Sequence, residues 1–193
     1  MKFRKLEIEG NWEIELENHC DERGNFRETF SSETLRNETG IEFEPVQENF
    51  STSSKGALRG IHFSIAPEGQ SKWITCSRGS ILDCIVDLRV NSPSFGRHVL
   101  IKVDSVNPKA LLVAKGMGHA FLALEENTEV HYLLSSAYQP KFEFAINPLD
   151  PNMKIIWPEM KYILSQKDNL APTLDLYMKS VNFPPLPHTP NKS

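Results

Sequence analysis

Short runs in which apolar and polar residues alternate, each bounded by Gly, Pro, Asn or Ser, recur through the middle of the chain. A period of two marks strands with one buried face, and its repetition at short spacing predicts an all-β sandwich or barrel. In "SILDCIVDLRV", Leu82, Cys84, Val86 and Leu88 fall on one face, and Ile81, Asp83, Ile85 and Asp87 on the other. Apolar groups on both faces predict a central strand rather than an edge. "HVLIKV" sends Val99, Ile101 and Val103 inward, and "ALLVAKG" and "TEVHYLLS" supply two further runs. "SRGS", residues 77–80, predicts a turn between strands in which Gly79 takes a positive φ.

Helix is the minority. "SSETLRNETG" offers Ser31 or Ser32 as N-cap, Glu33 in the first turn and Gly40 as a stop. "LSQKDNLAPTLDLYMKS" predicts one or two short helices interrupted by Pro172. Residues 181–193, with "NFPPLP", are too proline-rich and polar to pack, which predicts an extended or disordered tail after a single domain over residues 1–180.

At 193 residues the chain suits one well-buried core. A net charge of -4 argues against a general binder of nucleic acid or membranes, while leaving room for a local basic pocket for a small anion. Cys20, Cys76 and Cys84 lack C-x-x-C spacing, and their odd number fits a reduced, cytoplasmic protein better than a disulfide framework. The first twenty residues alternate charge and apolar groups, unlike a signal peptide or a membrane span.

Candidate chemistry centres on "KGALRGIHF", residues 55–63, where Arg59 and His62 rise among Leu58, Ile61 and Phe63. Such a strand lines either a solvated face or a pocket for an anion and a transferable proton. Of six histidines, His19, His98 and His188 need no explanation beyond solvation. His62 and His119 sit among glycines and apolar residues, where burial tunes an imidazole across neutral pH; a hydrogen-bonded core histidine is the plain alternative for each. A metal shared by His62, His119 and His131 is disfavoured, because the chain lacks the H-x-H that sends two ligands off one strand face. Glycine-rich phosphate loops are likewise absent, which leaves Arg23, Arg59 and Lys72 as candidate holders of a phosphate. Asp168 reads as the N3 residue of a capping box begun by Ser165, and Tyr132 as a core tyrosine.

Taken together these residues say more. "DERGNFRETF", "QENFSTSSKGALRGIHF", "SKWITCSRGSILDCIVDLRVNSPSFG", "GHAF", "YLLSSAY", "LDP", "IIWP" and "LSQKD" run in an order that resembles the dTDP-4-dehydrorhamnose 3,5-epimerase family across nearly all of residues 20–170. The resemblance implies a cupin-like jelly roll with a few short peripheral helices. It also implies a homodimer that uses no metal or other cofactor to invert carbons flanking the ketone of a dTDP-4-keto-6-deoxy sugar. By position it implies His62 as base, Asp168 as the carboxylate that orients it, Tyr132 as the acid on the opposite side and Lys72 as the cation near the keto oxygen. Arg59 and Arg23 match diphosphate contacts, with Arg23, Phe26 and Glu28 reaching in from the neighbouring subunit. Gln47, Asn49, His119 and Tyr138 match other pocket or nucleotide contacts.

Strict alternation puts Arg59 and His62 on opposite faces, whereas the resemblance puts both in one pocket. A bend or bulge near Gly60 would reconcile them, so irregular backbone is expected there. The chain departs from the family's usual H-G-F at "HAF" and carries Leu133 where a lysine often follows the tyrosine. This resembles the epimerases of unusual deoxysugar pathways and leaves open inversion at C3 only, at C5 only or at both. The other readings are a 3,4-ketoisomerase, a sugar-binding jelly roll without turnover and, least supported, a metal-dependent cupin.

Overall fold

The computed structural model describes residues 1–180, so the proline-rich tail expected over 181–193 lies outside the described residues. Two antiparallel sheets carry the fold. In chain order the strands are β1 (Lys2–Lys5), β2 (Trp12–Glu15), β3 (His19–Asp21), β4 (Gly24–Phe26), β5 (Gln47–Ser53), β6 (Leu58–Ser64) and β7 (Lys72–Arg78). They continue with β8 (Ser80–Asp87), β9 (His98–Asp104), β10 (Lys109–Val113), β11 (Met117–Ala123), β12 (Thr128–Leu134) and β13 (Glu143–Ala145). One sheet has six strands in the order β1-β2-β10-β7-β12-β5, the other five in the order β13-β6-β11-β8-β9, and β3–β4 form a separate hairpin. From β5 to β8 and again from β9 to β13, successive strands switch sheets, which makes the domain a cupin-like jelly roll.

The alternation of β8 is resolved as expected. Cys84, Val86 and Leu88 pack on the outer face of the five-stranded sheet with Leu58, Ile61 and Phe63, beneath Ile146, Met153, Trp157 and Tyr177. Ile81 and Ile85 face inward and meet Ile74, Leu111, Val113 and Val130 of the opposite sheet. Burial on both faces places β8 between β11 and β9, inside the sheet. Each such fully buried aliphatic side chain stabilises the fold by about 1.5–3 kcal/mol, before cavity effects.

The turn at Gly79 takes φ +73° and moves the chain from one sheet to the other rather than making a hairpin within one. Helix α1 (Ser32–Thr39) has Ser31 as its N-cap, accepting from the Thr34 N–H, and Gly40 in the left-handed region at its end. It buries Leu35 against Trp12, Phe43 and Trp73 on the outer face of the six-stranded sheet. Two short helices, α2 (Gln166–Asn169) and α3 (Leu174–Lys179), flank Pro172.

Candidate active site

Only part of the space between the sheets is filled by apolar side chains. Toward the β5 and β13 edges the inward positions turn polar, and a cavity of about 500 Å³ opens between them. From the six-stranded sheet come Asn49, Lys72, Tyr132 and Leu134, and from the five-stranded sheet Arg59, His62, Glu143 and Phe144. Asn49 and Tyr132 are direct cross-strand partners, and Lys72 pairs with Leu134, so the register of β5, β12 and β7 assembles one wall.

Arg59 and His62 share the opposite wall because β6 is bulged. Between the pairs His62/His119 and Arg59/Phe121, β6 runs through three residues while β11 runs through two. The extra residue resets the alternation, so Leu58, Ile61 and Phe63 remain on the outer, apolar face while Arg59 and His62 both enter the cavity. Gly60 makes this possible with φ +118°, and a Cβ there would lie 2.5 Å from the His119 carbonyl oxygen and 2.6 Å from the Ala120 Cβ. The irregular backbone expected at Gly60 is therefore present.

His62 Nε2 lies 2.6 Å from Asp168 Oδ1. Asp168 is brought there by the segment 163–168, which runs along β6 through a parallel bridge between Ala57 and Ile163. Ser165 caps α2 by accepting from the Asp168 N–H at 3.0 Å, so half of the expected capping box forms. The Asp168 carboxylate instead meets His62 and, at 3.5 Å, the Gly60 N–H. Burial raises its pKa, but the hydrogen bond and charge of His62, with Ser165 and Gly60, outweigh that and hold the carboxyl below its usual range.

Lys72 is buried, and desolvation pushes its ammonium down to about 8, against the opposing pull of Glu143 and Asp83. Burial raises the Tyr132 phenol; nearby Arg59 and a hydrogen bond with Asn49 work the other way. It stays protonated at neutral pH. Arg59 donates from Nε to Ser53 Oγ at 3.1 Å and from its terminal nitrogen to the Thr52 carbonyl at 3.3 Å, which aims its guanidinium along the cavity rim.

Of the other residues singled out from sequence, Tyr138 lines the mouth, and its N–H donates to Gln47, whose amide in turn donates to Asn49. Gln47 thus stands behind the lining rather than in it. His119 does not line the cavity: it is buried beside it, 2.6 Å from Asp83 Oδ2. His131 faces the other side of its sheet, 3.1 Å from Glu48, so the three histidines do not converge. Arg23, Phe26 and Glu28 lie on or just after the β3–β4 hairpin, outside the cavity of their own chain; Arg23 pairs with Asp21, and Phe26 is 71% exposed. Sequence reasoning missed Gln70, Glu143 and Lys167 in the lining. Lys167 was within reach, since it adjoins Asp168 in "SQKD"; Glu143 carried no periodic signal at all.

A family model described as dTDP-4-dehydrorhamnose 3,5-epimerase matches residues 5–175. The chain belongs to that family. A dTDP-4-dehydro-6-deoxyglucose 3-epimerase from a Streptomyces species is 44% identical over 88% of this chain and 87% of its own length. A dTDP-4-dehydrorhamnose 3,5-epimerase from Mycolicibacterium smegmatis is 41% identical over 90% and 86%. Among solved structures, the Mycobacterium tuberculosis epimerase superposes with a TM-score of 0.89 at 38% identity, covering 92% of this chain and 90% of that one. A 3'-monoepimerase from Streptomyces bikiniensis, solved in complex with dTDP-quinovose, gives 0.85 at 43% identity, covering 88% and 86%. Family members are thus sugar epimerases of the isomerase class, and this one carries the family's jelly roll.

Proposed function

We propose that the protein is a cytoplasmic epimerase that inverts C3, or C3 and C5, of a dTDP-linked 4-keto-6-deoxy sugar in deoxysugar biosynthesis. The observation that carries this reading is the His62–Asp168 pair facing Tyr132 and Lys72 across one cavity. A ketone acidifies the C–H bonds beside it, so the reaction needs a base, a cation for the developing enolate oxygen and an acid on the other face. His62 takes the proton, and the ionised Asp168 holds the imidazole in place and stabilises its charged form. Lys72 faces the enolate oxygen. Tyr132, still carrying its proton, returns one from the opposite wall. All four roles fall to the protein's own side chains, and the reading calls for no metal or organic cofactor.

Relatives give direct support. A Streptomyces bikiniensis 3'-monoepimerase has been solved with dTDP as a double mutant, a histidine changed to asparagine and a tyrosine to phenylalanine, the two positions as far apart in sequence as His62 and Tyr132. Arg59 at the rim suits the diphosphate, with Asn49, Tyr138 and, through them, Gln47 along the nucleotide. The exposed β3–β4 hairpin fits a homodimer in which Arg23, Phe26 and Glu28 complete the neighbour's site. The three free cysteines suit a reducing compartment, and among the described residues no helix is long and apolar enough to cross a membrane.

The test is incubation with dTDP-4-keto-6-deoxyglucose in deuterium oxide, following label at C3 and C5 by NMR. Label at C3 alone is the signature of a monoepimerase, and label at both of a double one. Binding without label at either carbon would refute the catalytic reading. Tyr132→Phe should spare exchange and suppress net inversion.

A further inference from the structure

Gln47 opens β5 as the partner of Leu134, and Asn49, two residues on and on the same face, is the partner of Tyr132. A chain of hydrogen bonds runs along that face. The Tyr138 N–H donates to Gln47 Oε1 at 2.8 Å, and Gln47 Nε2 donates to Asn49 Oδ1 at 2.8 Å. Asn49 is in turn hydrogen-bonded to the Tyr132 phenol in a contact that favours the phenolate, as an N–H donor does. Because the chain starts at a backbone N–H, which can only donate, the direction of each later link follows. Gln47 turns its oxygen to Tyr138 and its NH2 to Asn49; Asn49 turns its oxygen to Gln47 and its NH2 to Tyr132. The phenol oxygen therefore accepts, and its own proton is left to point elsewhere.

We infer that Gln47 and Asn49 are positioning residues that direct the proton of Tyr132 into the cavity, Gln47 acting through Asn49. This rests on the epimerase reading above. In the last step of that reaction the electron pair of the enolate forms a C–H bond with the Tyr132 proton, and the phenolate left behind recovers a proton from solvent. An Asn49 donor on the phenol oxygen serves both states: it keeps the O–H turned away from Asn49 before transfer and stabilises the phenolate after it. A reversed Asn49 amide would do the opposite. Its oxygen would take the phenol proton and withhold it from the carbon. The polarity of the relay is set by the Tyr138 N–H at the cavity mouth, so a group far from the reacting carbon fixes which way the acid points.

Gln47→Glu keeps the shape of the side chain and reverses the relay. A carboxylate accepts from Tyr138 and has no proton for Asn49, so the Asn49 NH2 turns toward it and the Asn49 oxygen faces the phenol. The experiment supplies dTDP-4-keto-6-deoxyglucose in deuterium oxide and measures, at early times, two fates of the same enolate. One is substrate returned uninverted with deuterium from the His62 side, and the other is inverted sugar protonated by Tyr132. Their ratio is set after binding, so a weaker hold on the nucleotide cancels. It should rise by about 10- to 100-fold in Gln47→Glu, a part of what a positioned acid supplies. In a Tyr132→Phe background the same substitution should change the ratio of returned label to residual inversion by less than about 2-fold, because the acid it directs is gone. Asn49→Asp, which also sets an acceptor against the phenol, should raise the ratio alike and decides the matter where Gln47→Glu does not fold. A wild-type ratio in either folded variant, or an equal rise with and without the Tyr132 hydroxyl, would overturn the inference and leave the epimerase reading standing. Absence of uptake at every carbon with the wild type would refute that reading and the inference with it.

Discussion

The imidazole of His62 and the carboxylate of Asp168, 106 residues apart in sequence, meet at 2.6 Å with Asp168 almost wholly buried behind the histidine. The pair is directional: both residues line the cavity, but His62 is the more open partner, while Asp168 is nearly sealed and is also held by Ser165 and Gly60. His62→Ala should abolish deuterium exchange without unfolding the domain. Asp168→Asn should lower kcat by about 10²–10⁴-fold with little change in KM, the range for loss of a tuned base. Steady-state kinetics beside thermal unfolding checks both, and a destabilised but fully active Asp168→Asn would reduce the His62–Asp168 pair to a structural contact. Because its folded pKa is lowered, the stability Asp168 contributes is complete above its unfolded value of about 3.9 and is lost only as pH falls through the lower folded value.

The role proposed for Lys72 predicts an alkaline limit to turnover. An ammonium held at about 8 is charged below that pH and neutral above it, so turnover should fall as pH rises past about 8. The same shift acts oppositely on the fold. Between about 8 and the ordinary 10.5 the unfolded chain binds a proton that the folded chain does not, so this group's contribution to stability improves as pH rises through that window. Lys72→Met should therefore cost activity by about 10²–10³-fold and raise stability at pH 7 by on the order of 2 kcal/mol. Thermal unfolding at pH 7 and pH 10 reads the second effect, which should shrink at the higher pH.

At Gly60, alanine would carry a Cβ into the backbone of His119 and Ala120 at a φ that L residues rarely adopt. Gly60→Ala should destabilise the domain by about 2 kcal/mol or more and weaken both dTDP binding and turnover. Calorimetric titration with dTDP measures the first loss and deuterium exchange the second. An alanine variant that kept both would show the bulge to be dispensable.

The proposed completion of each site by the neighbour's hairpin predicts a distinctive complementation. Arg23→Ala and His62→Ala chains, each poorly active alone, should regain activity when unfolded together and refolded. A mixed dimer then holds one site with both defects and one with neither, and random pairing restores about a quarter of the intact sites. Failure to recover any activity would place Arg23 outside the site.

The core was legible wherever alternation is strict. The two faces of β8, the inward Val99, Ile101 and Val103, the Gly79 turn and the capped α1 all follow from local rules that packing did not override. Arg59 and His62 were harder, because alternation alone separates them and only a glycine between them hints that it fails. Asp168 was ambiguous for a different reason: Ser165 does cap its N–H, and nothing in "SQKD" says that the carboxylate turns to a strand more than a hundred residues away. His119 looked like a pocket residue because its neighbours are small, yet the same small neighbours let it sink to Asp83. Glu143 could not be seen at all, since β13 spans only three residues and its register is dictated by β6.

The space between the two sheets is divided, apolar where β8, β9 and β10 meet and polar where β5, β6 and β13 meet. The consequence is a division of evolutionary labour. Side chains at the β5 and β13 edges can be exchanged to suit a different sugar with little effect on cohesion, because the packing that keeps the chain folded lies at the far end of the same seam. A jelly roll arranged in this way can diversify its substrates without first acquiring spare stability.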